Sequence, residues 1–433
     1  MSRGSSEDRP ALHHTSEGGS LDAEALAGGA LGQVPGRVAA HFKELVALRR
    51  DLHAHPELGR AEVRTTRVLR ERLAFEGLEP VVFPKGTGLR CDIGTGERAV
   101  ALRADIDALP IRDLKEVSYR SQHDGVAHAC GHDVHTACVL GAGLVLAELE
   151  QQGLLPGRVR LVFQPAEEQM PGGALDVIAA RGIDDVDEIF ALHCDPRVPV
   201  GFVGVREGPI TAACDRVKVV LRGPGGHTAR PHLTADLVHA VGVLISDLPA
   251  ALGRRVDPRA GLSVVWGRVA AGSAPNAIPE RGEIEGTVRC LDSDTWAEVP
   301  QLFRPLAEAV VAPFGVSAEV TYVRGVPPVD NEGACAAVLA EAVRRTRGAA
   351  AVVPTAQSLG GEDFAWYLEH VAGALARLGT AAPDDPVLRD LHQGTFDVDE
   401  QAIVVGTEVL VATALLALER TMTGSALADA IAP

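Results

Sequence analysis

Four side chains that can bind a metal or carry a proton fall within six consecutive positions, Cys130 to His135. Gly131 separates the cysteine from His132, and glycine there lets the backbone turn tightly enough to bring both side chains to one point. A thiolate beside an imidazole suits Zn²⁺, Mn²⁺ or a neighbouring divalent ion better than Mg²⁺ or Ca²⁺. Two other interpretations are open: a loop that merely buries a cysteine, and a Cys/His nucleophile pair.

Further ligand types follow predicted apolar strands downstream. Glu167 and Glu168 lie just after one such strand, and His193 lies directly after another. Of two adjacent carboxylates, one can bind a metal while its neighbour acts as base on a water. A solvated acidic turn is the alternative for the glutamate pair alone, and a lone histidine such as His392 is more often structural.

Taken together, the chain offers five soft or borderline ligands, which are Cys130, His132, Glu168, His193 and His392. Five ligands are more than one four-coordinate ion needs. The sequence therefore favours a two-metal site, with Glu167 or Glu168 close enough to bridge the ions or deprotonate water.

The elements around these residues predict an open α/β sheet. Asp105 and Asp107 lie just past an apolar strand, where such sheets place functional groups. A long amphipathic helix is predicted to follow the Cys130 turn. His53 and His55, at the end of an earlier helix, are expected to be structural more than ligating.

A block of different character interrupts this pattern. Residues 213–324 predict the order βαββαβ, a split βαβ arrangement, inserted into a doubly wound, mostly parallel α/β domain. The predicted division is a disordered extension at 1–36, a catalytic domain at 37–212 and 325–433, and the insert between them. Within the insert, His227 lies on a glycine-rich loop that lacks the lysine of a phosphate-binding loop. Asn276 and Arg289 are its other polar candidates.

Composition limits the partners. The chain has 433 residues, 46% of them hydrophobic, and a net charge of −17 with no basic run, which argues against nucleic acid and anionic membranes. No apolar stretch is expected to reach the roughly 20 residues that span a bilayer. The polar start lacks a signal segment and the seven cysteines are scattered, so a cytoplasmic protein without disulfides is expected.

The motifs occur in a specific order. They are RADIDALP at 103–110, HACGHDVHTA at 128–137, QPAEE at 164–168, GGH at 225–227, RPH at 230–232, NAIP at 276–279, GEDF at 361–364 and LH at 391–392. From about residue 37 onward the chain resembles the metal-dependent amidohydrolases that include hippurate hydrolase, N-acyl-amino-acid hydrolases and auxin-conjugate hydrolases. These enzymes are related to the co-catalytic metallo-carboxypeptidases.

The resemblance implies roles for individual residues. Cys130, His132, Glu168, His193 and His392 match ligands of two divalent ions, Zn²⁺ or Mn²⁺, with Co²⁺ or Ni²⁺ possible. Glu167 matches the catalytic base. His227 matches a histidine that stabilises the oxyanion and in relatives can reach the partner subunit's site. Asn276 matches a residue near the substrate carboxylate, and Arg289 is a further candidate for substrate binding.

The implied reaction is hydrolysis of the amide bond of a small N-acyl amino acid. The resemblance also implies that the insert is a lid and dimerisation domain, which would give a homodimer or a dimer-based tetramer. Two alternatives are a metallo-carboxypeptidase or dipeptidase, and a metal-binding relative that has lost catalysis. The intact Glu167 and the five ligands argue against the second.

Overall fold

The computed structural model describes residues 29–383 and 387–420. Its main helices are α1 (Val34–Ala54), α2 (Val63–Phe75), α3 (His132–Gln151), α4 (Ala174–Ala179), α5 (Leu237–Leu252), α6 (Ser293–Val311), α7 (Gly333–Arg347), α8 (Ala365–Leu368) and α9 (Gln401–Arg420). Its strands are β1 (Val81–Val82), β2 (Leu89–Ile93), β3 (Ala99–Asp105), β4 (Arg158–Gln164), β5 (Glu188–Pro199), β6 (Val203–Val205), β7 (Gly208–Pro209), β8 (Cys214–Arg222), β9 (Gly226–His227), β10 (Ser263–Ala271), β11 (Ala277–Ile278), β12 (Arg281–Arg289), β13 (Ser317–Val326), β14 (Asp330–Asn331), β15 (Val352–Pro354) and β16 (Ala372–Ala381).

The larger sheet has eight strands in the order β1-β2-β4-β3-β5-β16-β6-β15. Its four central strands β4, β3, β5 and β16 run parallel, so their carboxyl ends meet at one edge. Both faces are covered: Leu161 of β4 packs into the core that contains α1, α3 and α9, whereas Val162 packs into a second core on the other face. The predicted doubly wound, mostly parallel α/β sheet is confirmed.

A second, four-stranded antiparallel sheet has the order β10-β12-β8-β13. Helices α5 and α6 pack on it through Leu244 and Phe303, which share a core with Val219 of β8. From Cys214 to Val326 the main elements follow the predicted order βαββαβ. The use of this unit as a lid and the domain boundaries at 212 and 324 remain predictions.

Two expectations need correction. Residues 1–28 lie outside the described residues, but Val34 starts α1 and is fully buried, so the ordered part begins before residue 37. The sequence was expected to lack a membrane-length apolar stretch. Helix α9 in fact has the length and hydropathy of one, with a window mean of 1.9, yet 83% of that window is buried inside the fold. The apolar character of α9 is therefore accounted for by core packing.

A buried arginine ties three parts of this scaffold together. The Nε of Arg49, on α1, lies 2.8 Å from a carboxylate oxygen of Asp133 in the first turn of α3, and both side chains are fully buried. Its two other nitrogens pair with Asp397 at 3.1 Å and Glu400 at 3.3 Å, just before α9. Arg49 thus fixes the start of α3 against the segment that leads into α9.

Replacing Arg49 by methionine should lower the free energy of unfolding by about 3–5 kcal/mol, because it leaves the buried Asp133 carboxylate without its cation. Urea-induced unfolding followed by circular dichroism measures the change. Arg50→Met is the matched control: Arg50 is 46% exposed and pairs with Glu400 at the surface, so its loss should cost less than about 1 kcal/mol. Equal effects of the two substitutions would contradict the structural role given to Arg49.

Candidate metal centre

The five predicted ligands meet at the carboxyl edge of the parallel strands. Their donor atoms form two overlapping groups, one of Cys130, His132 and His193 and the other of Cys130, Glu168 and His392, and within each group the atoms lie within 4.8 Å of one another. The Cys130 sulfur lies 3.5 Å from Nε2 of His193 and 3.3 Å from Nε2 of His392. Cys130 therefore belongs to both groups, a sharing that the sequence did not reveal.

The turn before α3 depends on Gly131. Its φ of 87° is in the left-handed region, which confirms the tight turn expected from the sequence. A Cβ at this position would lie 2.7 Å from the sulfur of Cys194, so a side chain is excluded by packing as well as by conformation. The turn places Cys130 and His132 on the same side.

Hydrogen bonds at the far ring nitrogens orient two of the imidazoles. Nδ1 of His132 donates to the carbonyl oxygen of Asp107 at 2.8 Å, and Nδ1 of His193 donates to that of Cys194 at 2.8 Å. Both rings therefore direct Nε2 into the centre, as metal-binding histidines do. Among the described residues, the buried Nε2 of His132 and Oε1 of Glu168 have no hydrogen-bond partner. These unsatisfied atoms fit a site for cations.

The other two side chains of the Cys130–His135 cluster, Asp133 and His135, form hydrogen bonds and ion pairs next to the ligands. His135 donates from Nδ1 to Asp105 at 2.6 Å and accepts the Cys194 N–H at Nε2, so both of its ring nitrogens are occupied. Asp133 pairs with Arg49 and with His53, at 2.8 Å in each case. His53 thus has the structural role that was expected for it.

The two adjacent glutamates are held by their backbone. The carboxylate of Asp107 accepts the N–H groups of Glu167 and Glu168, each at 3.0 Å. Glu62 accepts the preceding N–H, from Ala166, at 2.7 Å. Ala166 has a φ of 55°, a strained value for alanine. Because carboxylates anchor three consecutive amides, this strained segment can keep both glutamate side chains in the site.

A second buried arginine, Arg103, neutralises part of the negative charge of the carboxylates that surround the centre. Arg103 donates to Asp105 at 2.7 Å and to Asp363 at 2.8 Å, and it lies 3.1 Å from Glu362. Asp363 lies just before α8 but does not cap that helix. Its carboxylate accepts from Arg103 and from the Ala174 N–H, and α8 has no side-chain cap. Glu362 does face the site, where it groups with Glu167 and Asp363.

The surplus of carboxylates shifts the acid–base behaviour of the site. Burial raises the pKa of Glu167 well above its ordinary value, and Glu362 and Glu168 add to the effect. Burial likewise raises the pKa of the Cys130 thiol, with Glu168 and Glu167 contributing. For His132, burial opposes the charged form, but Asp105 and Asp107 prevail and raise the pKa to about 10. Without metal, these three groups therefore keep their protons to a higher pH than usual.

Three predicted residues lie in the insert and not among these groups. His227 is exposed on β9, where its Nδ1 accepts the Ala229 N–H at 3.0 Å, and Asn276 is exposed beside β11. Arg289 ends β12 and donates to the carbonyl oxygen of Leu359. Neither His227 nor Asn276 makes a described contact with the ligand set, so their roles remain predictions.

Sequence reasoning missed two buried arginines of the centre, Arg103 in β3 and Arg377 in β16, as well as the anchoring role of Asp107. A signal was available for the arginines. Each is a charged residue within a strand whose other residues are mostly apolar, and burying a charge is costly enough to single out such a position.

The fold and the paired ligand groups define a metallohydrolase of the α/β class with an inserted second sheet. The family description "Peptidase family M20/M25/M40" matches residues 101–416, and the chain belongs to that family. It is a hydrolase that acts on amide C–N bonds.

Individual relatives agree with this placement. The chain is 40% identical to N-acetyl-L-cysteine deacetylase of Bacillus subtilis, over 84% of this chain and 85% of the relative. It is 51% identical to a Rhodococcus jostii protein named glutamate–cysteine ligase 2-3, over 86% of this chain but only 46% of that protein's length. Among solved structures, a dinuclear metal-binding peptidase of family M20 from Bacillus subtilis has a TM-score of 0.76 and 36% identity, covering 88% of this chain and 99% of that one.

Loading the metal-stripped protein with Mn²⁺ should release protons, because Cys130 and His132 hold theirs at neutral pH and must lose them to become ligands. Since both pKa values are raised, the apparent affinity should increase with pH between 6 and 9, by about tenfold per unit for each proton released. Titration calorimetry in buffers of different ionisation enthalpy measures the release. An affinity that does not change over this range, with no proton release, would contradict the assignment.

Proposed function

We propose that the chain hydrolyses the amide bond of N-acyl amino acids at a centre that holds two divalent ions. The observation that carries the proposal is the position of Cys130 in two ligand groups at once, with Glu167 beside them. The relative named as an N-acetyl-L-cysteine deacetylase and the solved dinuclear peptidase support the substrate class and the number of ions.

One ion would be held by Cys130, His132 and His193, and the other by Cys130, Glu168 and His392. Cys130 would thus help to hold both ions. Zn²⁺ and Mn²⁺ both suit a set of thiolate, imidazole and carboxylate ligands, and Co²⁺ and Ni²⁺ are further candidates. When bound, such ions lower the pKa of a water from about 15.7 towards about 7 and polarise a carbonyl oxygen.

Glu167 is the proposed proton carrier. Its carboxylate accepts a proton from the attacking water and returns it to the nitrogen of the leaving amino acid. The Asp107 anchor holds the Glu167 backbone in place, so the base needs no rearrangement during the reaction. Nearby cations favour the ionised carboxylate and would counteract the raised pKa of the metal-free site.

The insert completes the proposal as a lid and a dimerisation unit. His227 is exposed and lacks contacts with the ligand groups, which is compatible with a histidine that stabilises the oxyanion only after closure or from a partner subunit. Asn276, on the neighbouring loop, is the proposed contact to the substrate. A homodimer or dimer-based tetramer and a cytoplasmic location stay predictions.

Within N-acyl amino acids, N-acetylcysteine is the first substrate to test, because a 40% identical relative is named for it. Cleavage of dipeptides is the second candidate, favoured by the peptidase family to which the chain belongs. A panel of N-acetyl-L-cysteine, N-acetyl-L-alanine, hippurate and dipeptides separates the two. Turnover of the dipeptides and of none of the N-acyl amino acids would show that the protein is a dipeptidase.

Glu167→Gln should lower kcat by about 10²- to 10⁴-fold while two metal ions remain bound, since the substitution removes the proton acceptor and no ligand. Steady-state kinetics on the best substrate of the panel, with elemental analysis of the same sample, makes the measurement. Glu71→Gln, at an exposed position of α2, is the matched control and should leave both quantities unchanged. Normal turnover of Glu167→Gln with both ions bound would exclude Glu167 as the base.

The same variant tests whether His227 acts across subunits. Inactive Glu167→Gln and inactive His227→Ala chains are mixed and allowed to exchange. If one subunit's His227 serves the other's centre, mixed dimers contain one intact site, and activity should return. No recovery in verified mixed dimers would place His227 in the site of its own chain.

A further inference from the structure

Arg377, in the middle of β16, is a buried cation that is not paired with a described anionic group. The residue is only 8% exposed. Within the described ranges, no side chain or carbonyl oxygen forms a hydrogen bond or ion pair with its guanidinium. A buried charge without a partner is costly, so the position calls for an anion that the described chain does not supply.

The other buried arginine of the centre provides the contrast. Arg103 is more deeply buried, at 1% exposed, and its guanidinium contacts Gln164, Asp105, Asp363 and Glu362. It therefore has a complete structural explanation. The same explanation is not available for Arg377.

Strand pairing places Arg377 beside the metal ligands. Arg377 on β16 is in register with His193 on the parallel strand β5, so the two side chains project to the same face of the sheet. His193 reaches to within 3.5 Å of the Cys130 sulfur on that face. On the other flank of Arg377, β6 presents Gly204, and the side chain of Thr355 occupies the space where a Cβ of that glycine would lie.

The nearby acidic groups already have partners. Glu362 pairs with Arg103 and accepts the Phe364 N–H at 2.9 Å, and Asp195 accepts the Arg197 N–H at 2.9 Å. Burial lowers the pKa of Arg377 from its ordinary value, although Glu362, Asp195 and Cys130 act in the opposite sense. These groups thus influence Arg377 from a distance without binding it.

We propose that Arg377 binds a carboxylate of the substrate next to the metal centre. A guanidinium matches a carboxylate through two parallel hydrogen bonds, and every N-acyl amino acid carries that group close to the amide to be cleaved. This inference rests on the proposed function. It assigns selection of acidic substrates to the sheet of the catalytic unit, in addition to the insert residues Asn276 and Arg289.

The test compares the metal-loaded wild type with Arg377→Met and Arg377→Lys on three compounds. N-acetyl-L-alanine has its carboxylate on the amino-acid side, N-succinyl-L-alaninamide has it on the acyl side, and N-acetyl-L-alaninamide has none. Arg377→Met should raise KM about 10- to 100-fold for one carboxylate-bearing compound, with little change in kcat, and leave the uncharged compound unaffected. The affected compound identifies which carboxylate Arg377 binds. The KM of Arg377→Lys for that compound should lie between those of the wild type and Arg377→Met, because lysine keeps the charge but cannot form the two parallel hydrogen bonds.

Equal loss on all three compounds, or no loss on any, would overturn the proposal. Arg67→Met, at an exposed position of α2, is the matched control and should behave like the wild type. If Arg377→Met does not fold or does not retain metal, the same comparison with Arg377→Lys decides.

A wild type that cleaves none of the compounds would instead count against the proposed function. In that case, calorimetric binding of N-acetyl-L-alanine and its amide to the metal-loaded protein still tests Arg377. A preference for the acid that persists in Arg377→Met would then overturn the inference.

Discussion

A single buried sulfur atom connects the two halves of the centre. Cys130 lies in both ligand groups. One group needs the turn at Gly131 and the strand that carries His193, and the other needs the loop that carries His392, so the complete centre forms only when all three segments meet at that atom. A neutral thiol would not hold this set together. Divalent cations would, because they convert the thiol into a thiolate and offset the surrounding carboxylates.

Much of the scaffold holds these side chains in place despite the cost of burying like charges and of straining the backbone. Asp107 and Glu62 anchor the strained segment before Glu167, and Arg49 fixes the start of α3. Such contacts act through the residues they hold, which is how outer groups tune a metal site. The centre is therefore a property of the whole parallel sheet edge and not of one loop.

The sequence predicted the parallel sheet, the βαββαβ insert and the approach of the five ligand types, because each depends on local pattern or motif order. It could not predict that Cys130 is shared, since spacing along the chain does not tell which atoms overlap in space. Nor does spacing show that His135, in the same cluster as Cys130 and His132, has both ring nitrogens occupied by hydrogen bonds. The role of Asp363 and the partnerless state of Arg377 depend on contacts between distant segments, which no local pattern contains. The length and hydropathy of helix α9 are those of a membrane span, and its burial inside the fold, which distinguishes it from one, cannot be deduced from local sequence.

The central proposal is that Cys130 would hold two cations, and metal stoichiometry tests it most directly. Wild type, Cys130→Ala and His392→Ala are stripped of metal, reloaded with a small excess of Mn²⁺ or Zn²⁺, separated from free ion and analysed for metal per folded chain. We expect two ions in the wild type, one in His392→Ala and none in Cys130→Ala, because only the cysteine belongs to both ligand groups. A Cys130→Ala protein that keeps as many ions as His392→Ala, or more, would contradict it.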